Sequence, residues 1–136
     1  MEGMRLRELN IGCFGGGTGV AAVCDIVVAS TDALFSISET RWGLMAGIIL
    51  PQLCQAMGLR QGRRYALTGE RFGAEEARRI GLVHEVVPLA DLEARGAAMI
   101  AQILENGPSA MAKTKQHILE HAEGGLDRKT LDRLID

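Results

Sequence analysis

Three consecutive glycines, Gly15 to Gly17, constrain this chain more than any other feature. Glycine lacks a β-carbon, so the backbone there adopts turns closed to other residues, and neighbouring atoms approach the peptide units directly. The block therefore punctuates the chain. Thr18 to Asp25 follows with small apolar residues, Ala21, Ala22 and Cys24 among them, which predicts a short helix packed very closely. Ile26 to Ala29 is a β-branched run and reads as a buried strand. Ser30 to Ala33 reads as a turn, and Leu34 to Ile37 alternates as a second strand.

Composition limits what such a chain does. It has 136 residues, 47% hydrophobic and 24% charged, which suits a single globular domain. A net charge of −2 supplies no basic field for nucleic acid or an anionic membrane. Aromatic residues are only 4%, too few for a base-stacking platform. The longest apolar run, Leu44 to Leu50, is far short of the ~18 residues of a membrane span. The amino-terminal residues carry no apolar signal core, so a cytoplasmic protein is expected. Cys13, Cys24 and Cys54 form no CxxC pair, and an odd count fits a reducing compartment. His117 and His121 have helical i,i+4 spacing, but only Glu120 and Glu123 accompany them. They are expected to face solvent, and no metal site is expected.

Further along, Ser38 to Gly43 is polar between apolar segments and reads as a loop. Pro51 opens a helix to Met57 that Gly58 stops, and Arg60 to Leu67 forms a second helix. Ala74 to Ile80 is a helix with its acids early and its bases late, capped by Gly81. Leu82 to Val87 is a strand ended by Pro88. From Leu89 the chain is helical, with Leu92, Met99, Ile100, Ile103 and Leu104 on one stripe. Gly107 and Pro108 break it, and a second helix runs to His121. Leu126 to Asp136 opens another. Met4 to Leu9 alternates and reads as an edge strand or a frayed end.

Two segments carry chemistry. Backbone N–H groups beside glycines at a helix start suit a phosphate or a developing oxyanion. A P-loop is excluded, because no Gly-Lys-Ser/Thr follows, and the dinucleotide fingerprint is absent. The helix is also expected before, not after, the obvious strand. Glu39 lies in the loop between apolar elements. A carboxylate against apolar walls is disfavoured in its ionised form and becomes a general acid or base.

Four blocks in order, Gly12 to Ile26 with the triple glycine, Ala33 to Gly43 with Glu39, Ala66 to Arg71, and Ala74 to Pro88 with Gly81-Leu82-Val83, resemble the enoyl-CoA hydratase/isomerase (crotonase) superfamily. The resemblance spans Asn10 to Lys115. It implies an α/β spiral fold of the crotonase type, present in part, with residues 1–88 the carboxy-terminal part of the α/β core and 89–136 a helical association region. It implies an acyl-CoA thioester substrate whose enolate sits in an oxyanion hole of two backbone N–H groups. One of these falls on Gly16. Gly15, Gly17 and Gly19 belong to the same binding segment, Glu39 takes the second catalytic glutamate's place, and Trp42, Leu44 and Met45 line the acyl pocket by position. Coenzyme A enters as part of the substrate, so no separate cofactor is implied, and the implied assembly is a homo-oligomer, a trimer or hexamer.

This chain departs from the pattern at Gly19, where hydratases of the family carry their first glutamate. Two carboxylates hold a water and divide the acid and base work, whereas one still moves a proton within a bound acyl group. Hydration and double-bond isomerisation both stay open. The family chain is usually much longer, and the block supplying the second oxyanion N–H is not found here. A truncated, catalytically inactive form acting as an oligomer partner is the alternative expectation. Loss of one oxyanion donor alone lowers rates by ~10²–10³.

Overall fold

A computed structural model describes residues 11–16, 18–37 and 50–124. The chain forms two compact units, Asn10–Ile100 and a second that, among the described residues, comprises residues 101–124. The first unit is built on one long strand. β1 (Ile11–Gly16) leads into the short helix α1 (Thr18–Val23), and β2 (Ile26–Phe35) follows. α2 (Leu50–Thr68), β3 (Phe72–Gly73), α3 (Ala74–Arg79) and β4 (Glu85–Val87) complete the sheet and its cover. A 3-10 turn, Leu89–Asp91, opens α4 (Leu92–Leu104).

β2 is the hub. β1 lies parallel along one edge, while β4, parallel, and β3, antiparallel, divide the other edge between them. The run Val27 to Ser30 is buried without alternation, as for a parallel strand covered on both faces. Beyond it the burial alternates, with Ala33 and Phe35 inward and Leu34 outward. The two strands expected over residues 26–29 and 34–37 are thus one continuous strand. Its pairing breaks where a turn was expected: β1 pairs in one register from Ile11–Ile26 to Phe14–Ala29, then resumes at Gly16–Leu34. Ser30 to Ala33 bulge out of that edge without reversing the chain, because β4 holds Ser30 on the opposite edge.

The glycine block also differs from the expected turn. Gly15 and Gly16 close β1, so a strand does precede the helix, because parallel pairing with β2 satisfies backbone that has no side chain to pack. α1 packs on α2 through buried Ala21 and Ala22, as the small side chains require, but ends at Val23 instead of Asp25.

α2 contains the two helices read from the sequence, joined at Gly58 with φ 83° and ψ 159°, a conformation closed to helix and costly for any residue with a β-carbon. Gly81 ends α3 with φ 94°, and a β-carbon there would stand 2.8 Å from the Ala56 carbonyl oxygen. That close approach seats the α3–β4 corner against α2. Leu82 and Val83, expected as strand, are buried turn residues whose amides donate to the Ala77 carbonyl at 2.9 and 3.2 Å, so β4 starts only at Glu85. Between the layers Phe72 stacks on Phe35 with centroids 5.6 Å apart, and Tyr65 lies 4.2 Å from Phe72.

In the second unit α5 (Pro108–Gly124) starts where Gly107 and Pro108 were expected to break the helical run. Ile118 and Leu119 are exposed on it, His121 is exposed as expected, and His117 is half-buried. The helix expected over residues 126–136 and the alternating segment 4–9 lie outside the described residues.

Candidate active site

The site expected from the sequence divides between two segments, and the described backbone brings their ends together. Gly15 and Gly16 form the carboxy-terminal end of β1, and Thr18 starts α1 immediately after. Gly19 is the second residue of α1 and is half-buried. The strand end leading toward Glu39 lies beside them: Gly16 pairs with Leu34, and the Thr18 Oγ1 accepts the Ser36 amide N–H at 2.9 Å. Thr18 is 8% exposed, so this bond is made largely out of water. Gly17, Glu39, Trp42, Leu44 and Met45 lie outside the described residues.

Two polar contacts went unread in the sequence. Thr18 served there only as a helix start, although a threonine oxygen at such a place has an acceptor to offer. His84 matched no motif. Its backbone N–H donates to the Val27 carbonyl at 2.9 Å, and its Nδ1 accepts the Val27 N–H at 3.1 Å. Val27 is buried one rung before β4 begins, so His84 satisfies both main-chain groups that the short strand leaves open.

A charged cluster covers the far side of Tyr65. The Glu76 carboxylate, paired with Arg79, acts on the buried Tyr65 phenol, and the Arg64 guanidinium lies 4.8 Å above the Tyr65 ring while bonding Glu70 at 2.8 Å. Hydrogen bonding from Arg79 holds the Glu76 carboxyl below its ordinary range. Burial, then the nearby Glu76 charge, pushes the Tyr65 phenol up. Among the described residues no group of His, Cys, Asp and Glu is arranged to hold a metal, and no helix is long and apolar enough to cross a membrane.

A β-strand ending in glycines, a short helix after it and a second strand held alongside make this an α/β arrangement. Comparison with known proteins agrees. The enoyl-CoA hydratase/isomerase family model matches residues 9–132. The chain belongs to the enoyl-CoA hydratase/isomerase family, and its fold is the crotonase α/β fold, present in part, with a helical carboxy-terminal region. It is 34% identical over 111 residues to a hydroxycinnamoyl-CoA hydratase-lyase of Pseudomonas fluorescens, covering 81% of this chain and 40% of that one. It is 36% identical to the mitochondrial Delta(3,5)-Delta(2,4)-dienoyl-CoA isomerase of Dictyostelium discoideum, covering 82% and 38%. Among solved structures, Pseudomonas aeruginosa AtuE superposes with a TM-score of 0.84 at 34% identity, over 92% of this chain and 50% of that one. The chain thus spans less than half the length of these curated relatives.

Proposed function

We propose that this chain carries acyl-CoA chemistry of the enoyl-CoA hydratase/isomerase type, on a thioester substrate. The Gly16 backbone N–H is one donor to the thioester oxygen, and it favours the negative charge that develops there as an enolate forms. Glu39 is the general acid/base that moves the proton at the acyl carbon or its neighbour. Gly15, Gly17 and Gly19 leave space for the thioester, and Trp42, Leu44 and Met45 line the acyl chain's path. Coenzyme A is the substrate's carrier, and the working assembly is a homo-oligomer in the cytoplasm.

The observation that carries this reading is the placement of the glycine block beside the end of β2. Gly16 pairs with Leu34, and Thr18 bonds Ser36, three residues before Glu39. Three residues of extended chain span at most roughly 11 Å, and this short spacing in the sequence supports reading Glu39 together with the glycine segment. With glycine at position 19, a single carboxylate is available from these blocks, which suits proton transfer within a bound acyl group as well as hydration assisted from elsewhere.

The test follows loss of the conjugated absorbance of a short enoyl-CoA, with the purified chain and its Glu39→Gln variant side by side. The expected result is turnover that falls by about 10²-fold or more in Glu39→Gln, while thioester binding persists. Turnover unchanged by that substitution overturns the assignment of Glu39.

A second reading has its own support: the exposed Leu104, Ile118 and Leu119 favour association with other subunits without catalysis. A folded chain with no enoyl-CoA turnover that still associates would support it.

A further inference from the structure

We propose that Thr18 is a positioning residue, whose hydroxyl sets the place of the Gly16 backbone relative to the strand end that leads to Glu39. This rests on the acyl-CoA reading above for its purpose, though not for its geometry.

The argument starts from the register of β1 on β2. From Ile11 to Phe14 each β1 residue pairs with the residue fifteen further along, and at Gly16 the partner becomes Leu34, eighteen further along. The bulge at Ser30 to Ala33 has therefore shifted β2 by three residues just before the glycine block. A shifted register is weakly held when only one ladder pair follows the break. β1 offers no more, because the chain turns into α1 at Thr18. The Thr18 hydroxyl accepts the Ser36 N–H at 2.9 Å, and Ser36 is again eighteen residues further along. The side chain thus makes the next rung of the shifted ladder in place of a backbone carbonyl. β3 holds the other edge of the same stretch through Leu34–Gly73 and Phe35–Phe72, so Thr18 completes a two-sided grip on the strand end. A serine supplies the same acceptor, while valine keeps the shape and removes it.

The experiment uses the full chain, labelled for NMR, as wild type and as Thr18→Val and Thr18→Ser. The readouts are the exchange rate of the Ser36 amide and the amide signal of Gly16, with Thr114→Val on α5 as a remote control. In the wild type the Ser36 amide is expected to be protected. Thr18→Val is expected to raise its exchange about three- to tenfold, the worth of one hydrogen bond, and to shift the Gly16 signal. Thr18→Ser is expected to restore both readouts, and Thr114→Val to change neither. Should Thr18→Val not fold, Thr18→Ala makes the same comparison with less bulk.

A freely exchanging Ser36 amide in the wild type overturns the proposal with no variant needed. So does a Gly16 signal that Thr18→Val leaves in place, or a Thr18→Ser chain that behaves like Thr18→Val. Enoyl-CoA turnover separates this claim from the functional one. A kcat lowered by Thr18→Val with KM held, and rescued by Thr18→Ser, supports positioning; an unchanged kcat beside a Glu39→Gln loss overturns it. If Glu39→Gln changes nothing while Thr18→Val still moves Gly16, the catalytic reading fails and the tether stands.

Discussion

At the scale of single residues, the chain's geometry rests on places where one atom decides. Gly81 is such a place, with positive φ and the Ala56 carbonyl where a β-carbon would go. Gly81→Ala is expected to lower unfolding stability by about 1–3 kcal/mol from backbone strain, with the contact adding to it. Urea denaturation measures this, and a midpoint equal to wild type would contradict the close approach. Glu76 gives a pH dependence. Its carboxyl is held below the ordinary range by Arg79, so the folded state binds the proton less tightly than the unfolded one. Its stabilisation is therefore present above the unfolded carboxylate's pKa and is lost as pH falls through the lower folded value. Tyr65 has the opposite sign: its raised pKa gives stability that is full below the unfolded phenol's pKa and fades as pH rises through the folded one. Glu76→Gln is expected to flatten the acid limb of a thermal-stability profile against pH. An acid limb identical to wild type would remove the Arg79 pair from the account.

At the scale of elements, short strands persist because side chains finish what the backbone cannot. β4 has three residues, and His84 closes the pairing ahead of it by taking the buried Val27 N–H on Nδ1. His84→Ala leaves that N–H without its acceptor and is expected to cost about 1–3 kcal/mol, whereas His84→Asn retains an acceptor and should cost less. The ordering of the two variants in chemical denaturation is the check. Arg95 anchors the same strand from α4, with two nitrogens on the Glu85 carboxylate at 3.0 Å. The helices were the most legible elements. Gly58, Gly81 and the Gly107-Pro108 pair each stand at a boundary the backbone requires, and their chemistry is local. The β2 strand was less legible. Ser30-Thr31-Asp32 looks like a turn because polar residues interrupt an apolar run, yet β4 pairs Ser30 before it and β3 pairs Leu34 and Phe35 after it, so one strand runs across.

At the scale of the whole molecule, the family follows from four blocks of sequence in order, and the matched residues 9–132 bear that out. Activity and assembly are further questions of this scale. If the exposed apolar residues of α5 carry association, Ile118→Glu with Leu119→Glu is expected to reduce the sedimenting species to a smaller one. Equal sedimentation of variant and wild type would remove the association reading. The sequence alone determined the triple glycine, the helix breaks at Gly58, Gly81 and Gly107-Pro108, and the apolar run that begins β2, because each is written in adjacent residues or in a short period. Only the tertiary structure decided that Gly15 and Gly16 end a strand, that β2 runs on through a three-residue shift in register, and that Thr18 and His84 bond backbone eighteen and fifty-seven residues away. Those contacts join segments distant in the chain, and their acceptors are common side chains whose partners no local pattern reveals.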